Sequence, residues 1–175
     1  MDTENKQDWC ASAIPQENAF AINRLFDLGL SGNINLSKKT DVYTHDLFIS
    51  FPSDLKSVQT PLFKAKELFG IDPQYAVTFN KKDAVRYRNL YPNIIVVFDI
   101  NWKETQADLG GTIYRVNPMH MTVAGFLSDI RRAIVKSGTK TIEYRRRVDD
   151  QSGNAKESWV FDSRDLHLLN LKDLA

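Results

Sequence analysis

The run NIIVVFDINW, residues 93–102, constrains the fold more than any other stretch of this chain. Its apolar centre, IIVVF at 94–98, is too short to span a bilayer. A run this apolar belongs in the middle of a sheet. Around it, β-branched segments alternate with amphipathic ones. YAVTF (75–79) reads as a strand, and KKDAVRYRNLY (81–91) as a short helix ending before Pro92. PLFKAKELFG (61–70) reads as a shorter helix, with proline in front and glycine behind. Alternation of this kind predicts an α/β fold with parallel pairing through helical crossovers.

The flanking segments extend the pattern. A helix is expected over PQENAFAINRLFDLGL from Pro15, with Phe20, Leu25 and Leu28 near helical spacing and Gly29 or Gly32 as its stop. SGNINLSKKT (31–40) reads as a turn and strand entry, and DVYTHD (41–46) and LFISF (47–51) as strands. Pro52 interrupts the second run, which implies a bulge, an edge or a short break before SDLKSV. GTIYRVNP (111–118) is a further strand. MTVAGFLSDIRRAIVKSG (121–138) reads as the clearest helix, with Phe126, Ile130 and Ile134 on one stripe and Gly138 as the stop.

At 175 residues the chain suggests a flexible arm over 1–14 and one domain over 15–175, with a basic extension from about 139. One cysteine and three scattered histidines argue against a disulfide framework and a zinc site. The start, MDTENKQDWC, has neither the basic nor the apolar region of a signal peptide, so a cytoplasmic protein without membrane partners is expected. A formal net charge of +1 gives no whole-molecule argument for a polyanion; any basic surface must be local.

Side chains two apart on a strand share a face. Asp54 and Lys56 therefore project together, with Leu55 expected on the opposite face toward the core. If Asp41 lies on the neighbouring strand, a second carboxylate approaches the first. Two carboxylates with room for water suit a magnesium ion, which keeps several waters. The Leu55 carbonyl is a further candidate ligand. The lysine plays a separate part, since its ammonium can orient an attacking water or stabilise charge on a phosphorane. The plainer reading is a solvated strand face, since acid–x–lysine triplets are common.

Glu17 on the first helix, Asp41 in the TD at 40–41 and the DLK at 54–56 together resemble the PD-(D/E)xK nuclease superfamily. The resemblance covers roughly residues 15 to 100 in element order. Thr40 stands where the motif has proline. The resemblance implies a restriction-endonuclease-like fold, a mixed central sheet flanked by helices. It implies magnesium-dependent hydrolysis of DNA phosphodiesters, with manganese as a substitute, and frequent homodimers. By position, Asp41 and Asp54 look like the metal-binding acids, Lys56 like the catalytic lysine, and Glu17 like the additional helix acid.

From Arg131 to Arg147 the chain is basic, and Arg131, Arg132, Arg145, Arg146 and Arg147 could grip a phosphate backbone. A helix end and a strand paired with Asp149 and Asp150 explain the same charges equally well. Lys64, Lys66, Lys81, Lys82, Arg86 and Arg88 form a second, more scattered patch. His45 reads as exposed, His120 as a capping or packing residue before a helix, and Asp99 as a loop hydrogen-bonding group at a strand end. Ser57 and Gln59 read as strand-end polar residues, and Trp102 and Trp159 as core or interface. The alternative to a nuclease is a non-catalytic α/β module that binds nucleic acid or protein.

Overall fold

The apolar run forms strand β5 (Ile95–Asn101), and it lies in the interior of a sheet. The computed structural model describes residues 15, 18–20, 23, 25, 30–41, 44–143 and 157–168. The chain divides into two compact units, Met1–Pro52 and Ser53–Ala175.

In the second unit, β3 (Ser53–Val58) pairs in parallel with β5. On its other side β5 pairs antiparallel with β8 (His120–Phe126), which pairs antiparallel with β11 (His167–Leu168). A second sheet, antiparallel, has β10 (Glu157–Asp162) between β4 (Ala76–Asn80) and β9 (Lys140–Glu143). Strands β6 (Gln106–Asp108) and β7 (Ile113–Arg115) form a hairpin. Helix α1 (Ala65–Phe69) and helix α2 (Lys81–Leu90) lie between β3 and β5 in the chain, and α3 (Leu127–Lys136) follows β8. The fold is mixed α/β with several small sheets. The crossover joining the parallel pair carries β4, which belongs to the other sheet.

The core forms where the two sheets and the helices meet. Val96, Phe98 and Ile100 of β5 are fully buried, while Ile95 and Val97, on the alternate positions, are only half-buried. Phe98 meets Phe79 of β4 and Phe161 of β10 edge-on, with ring centroids 6.3 and 5.7 Å apart. Ile130 and Ile134 of α3 and Tyr87 of α2 pack into the same cluster. Burying such rings is the largest apolar gain available to a domain of this size. The helices stop where the sequence signals them. Gly70 after α1 and Gly138 after α3 take left-handed φ values of 70° and 85°, which glycine adopts without a Cβ clash.

Two sequence expectations give way here. Only the second half of 121–138 is helical; the first half is β8. MTVAGF is a short apolar run, and its ladders to β5 and β11 outweigh a helical periodicity. Helix α3 begins at Leu127 because the Asp129 carboxylate accepts the Phe126 N–H at 2.8 Å, closing the first turn. Gly125 fits because an added Cβ would lie 3.0 Å from Asp129 Cβ and 3.2 Å from Leu166 Cδ2.

The second correction concerns Asp41. In the first unit the described residues from 15 to 25 are helical, and β1 (Ser31–Ile34) pairs antiparallel with β2 (Leu47–Ser50). Gly32 is therefore a strand residue and not the helix stop. The described residues between β1 and β2 are not strand: Leu36–Lys39 is a 3-10 turn, and Asp41 and residues 44–46 lie in loop. Buried Asn35 is the cause. Its Oδ1 accepts the Ser37 N–H, its Nδ2 donates to Thr44 Oγ1 and to the His45 carbonyl, and its own N–H donates to the Asp46 carbonyl. These bonds offer the backbone a loop in place of a ladder. Pro52 marks a break, as one of the expected outcomes: β2 ends at Ser50 and β3 begins at Ser53. No described helix is long and apolar enough to cross a membrane.

One-sided burial of β5 has a measurable signature. Phe98→Ala should lower the unfolding free energy by about 3–5 kcal/mol, and Val97→Ala by roughly 1–2 kcal/mol. Urea denaturation distinguishes them, and equal losses would contradict the assignment of the two faces.

Candidate functional site

Strand β3 turns its two acid–lysine positions inward and one of its two apolar residues, Leu55, outward. Asp54, Lys56 and Val58 turn inward and are half-buried, while Ser53, Leu55 and Ser57 are exposed. In register, Asp54 lies beside Val96 and Lys56 beside Phe98, on the core side of the sheet. The expectation that Asp54 and Lys56 share a face holds. The expectation that Leu55 points to the core does not: Leu55 is 64% exposed. The reason is helix α2, which meets the inward face of β3 with charged and aromatic partners that only a polar strand face can use.

Those partners define the site. The Lys56 ammonium donates to Asp83 Oδ2 at 2.7 Å. It also stands 2.9 Å from Asp54 Oδ2, in an ion pair. Lys56 Nζ lies 5.8 Å from the centroid of the Tyr87 ring. Asp83 binds Arg86 through its other oxygen at 2.9 Å. Arg86 in turn lies over the Tyr87 ring, 4.9 Å from its centroid, and donates to its hydroxyl at 3.1 Å. Two carboxylates and two cations thus close on each other around one ring.

The electrostatics follow. Burial pushes the Asp54 carboxyl up, but hydrogen bonding to Lys56 and Tyr87 and the charges of Lys56 and Arg86 outweigh it and hold the group below the usual carboxylate range. Burial also opposes the Lys56 charge, yet Asp54 and Asp83 raise it well above the ordinary lysine range. Burial and the hydrogen bond to Asp54 raise the Tyr87 phenol. At neutral pH the site therefore holds a carboxylate, an ammonium and a protonated phenol. Lys56 can donate hydrogen bonds and stabilise negative charge; it is not a base.

The remaining expected residues fall elsewhere. Asp41 is exposed in the first unit, in the loop after the 3-10 turn, where its N–H donates to the Ser37 carbonyl. The strand beside β3 is β5, which carries Asp99 and not Asp41. Leu55 pairs in parallel with Val97. Arg131 and Arg132 are exposed on α3, and Arg132 is ion-paired with Asp129 one turn back. Glu17, Arg145, Arg146 and Arg147 lie outside the described residues. His120 is a strand residue, not a helix cap, and its Nε2 sits 2.8 Å from Asp99 Oδ1; Asp99 is within β5 and not at its end. His45 is exposed, as expected. Trp102 is buried and donates to the Gln74 carbonyl.

Asp83, Arg86 and Tyr87 were not legible as site residues, although their spacing of three and four places them on one helix face. That spacing was the available signal. No known family model matches the chain, and no curated protein or solved structure does.

Among the described residues no group of three or more His, Cys, Asp or Glu side chains is arranged to hold a metal ion. Asp54 alone offers a hard, ionised oxygen donor of the kind magnesium takes, and its Oδ2 is ion-paired with Lys56.

The ion network carries a pH signature. Because the Asp54 carboxyl is depressed in the folded state, its stabilisation is complete above the ordinary carboxylate range and fades as pH falls from about 4 through the lowered value. Because the Lys56 ammonium is raised, its stabilisation is complete below about pH 10 and fades only above that. Asp54→Asn should cost roughly 1–2 kcal/mol at pH 7, between the limits for exposed and buried pairs, and the deficit should shrink toward pH 3. Urea titrations at pH 3, 5 and 7 measure this; a deficit constant across the series would contradict it.

Proposed function

We propose that this protein is a magnesium-dependent endonuclease that hydrolyses DNA phosphodiester bonds by PD-(D/E)xK chemistry. The observation that supports the reading is the pairing of an ionised Asp54 with a protonated Lys56 on one half-buried face of β3. Asp54, with the adjoining Leu55 carbonyl, would hold the ion. A bound magnesium polarises the phosphoryl oxygen and lowers the pKa of its water. Lys56 stays protonated and, as a hydrogen-bond donor, would orient the attacking water through its oxygen or stabilise the charge that develops on the phosphorane. Asp83 and the Tyr87 ring fix the ammonium in place, so little reorganisation is needed during the reaction. With a net charge of only +1, attraction for the DNA backbone would come from local cations and not from the molecule as a whole.

A second reading has an observation in its favour. Lys56 is engaged by Asp54 and Asp83 together, so the network also serves to fasten β3 to α2. Under that reading the chain is a non-catalytic α/β module that binds nucleic acid or protein.

Supercoiled plasmid separates the two. The wild-type chain should nick it with magnesium and not with excess chelator, and Lys56→Ala should reduce the rate by roughly 100-fold or more, the scale set by a positioned proton donor. Circular dichroism confirms that the variant is folded. Equal nicking by both proteins would remove the catalytic assignment, and an intact plasmid with wild type would favour the binding module.

A further inference from the structure

A second feature lies on another side of α2 and is independent of the nuclease reading. A cleft of about 260 Å³ opens between α2 and α3. Buried Phe79 and Leu127 form its floor. Val85 on α2 and Val135 on α3 flank it and are 49% and 70% exposed. Apolar side chains facing each other across a cleft are an incomplete apolar surface, and solvent exposure of both is unfavourable.

Arg88 and Arg131, one from each helix, complete the lining, and no carboxylate contributes to it. Among the described residues Arg131 makes no ion pair, and the Arg88 guanidinium donates only to Asn89, at 3.4 Å. Three other exposed cations on these helices differ: Arg86 pairs with Asp83, Arg132 with Asp129 and Lys136 with Asp165. An apolar slot bordered by two guanidiniums without an ion pair among the described residues is complementary to an apolar group flanked by carboxylates.

Size decides which bearer of that chemistry fits. Pockets for whole small molecules measure roughly 300–1,000 Å³, and this cleft is smaller. It has room for one bulky apolar side chain. Interfaces concentrate their energy in such anchors, set in a pocket and ringed by contacts that exclude water. We propose that the α2–α3 cleft is a docking site for an acidic segment of a partner protein, which inserts one large apolar residue between Val85 and Val135 and pairs flanking carboxylates with Arg88 and Arg131.

The test uses the full chain and a fluorescein-labelled peptide with a central Leu-Trp-Leu flanked on each side by two glutamates. Anisotropy should show saturable binding, weaker by about tenfold when the centre is three alanines or the flanks are lysines. Val135→Asp, at an exposed position, should abolish binding of the acidic peptide. The pair Arg88→Glu and Arg131→Glu should lose the acidic peptide and gain the lysine-flanked one. The indole N–H resonance of Trp159, which also lines the cleft, should shift on addition of peptide to the wild type. Absence of saturable binding, equal affinity for the alanine-centred peptide, or indifference to Val135→Asp would each overturn the proposal. So would a charge-reversed pair that keeps the peptide but loses duplex DNA, which would mark the surface as a phosphate contact. Self-association blocked by Val135→Asp would assign the cleft to a second copy of the chain, also against it.

Discussion

The Lys56 ammonium, held between the carboxylates of Asp54 and Asp83, is the interaction on which the arrangement of this unit turns. It lies on the core side of β3, on the same face as Val58 and opposite to Leu55. A shift of one residue would place Leu55 inside and both charges, with Val58, outside. The partners on α2 favour the observed phase. Taking charges out of water is costly, and the cost is met here by two carboxylates, a second cation and a ring face within one cluster. The half-burial of the pair keeps the penalty modest, and Asp54 and Lys56 stay charged.

Local signals were sufficient for much of the fold. The apolar NIIVVF run is an interior strand, Gly70 and Gly138 end helices, and Asp54 and Lys56 share a face, all from spacing and backbone preference. Signals failed where the deciding contact was distant in sequence. Lys56 and Asp83 are 27 positions apart, so nothing near residue 55 reveals that the leucine must yield the inward face. The strand MTVAGF reads as helix because its ladder partners, 95–101 and 167–168, are not visible from 121–126. Asp41 reads as strand because one buried residue, Asn35, organises the loop around it through three side-chain hydrogen bonds and one from its own N–H.

Helix α2 joins the two functional proposals. Asp83, Arg86 and Tyr87 face β3 and fix the ammonium, whereas Val85 and Arg88 turn toward α3. Each set follows the three-to-four-residue spacing of one helix face. A displacement of α2 by an occupant of the cleft would move Asp83 and Tyr87 with it, because a helix behaves as a rigid element over ten residues. The interior beneath supports this coupling, since Tyr87 packs against Phe79, which also floors the cleft.

The central claim is that Asp54 is a divalent-ion ligand working beside a lysine that is charged at neutral pH. Crystals of the full chain soaked in manganese test it most directly through anomalous scattering. The account predicts a peak within bonding distance of an Asp54 carboxylate oxygen, about 2.0–2.3 Å, with Lys56 still adjacent. Manganese bound elsewhere, or Asp54 unmetallated and still closed against Lys56 in a crystal saturated with the ion, would contradict it.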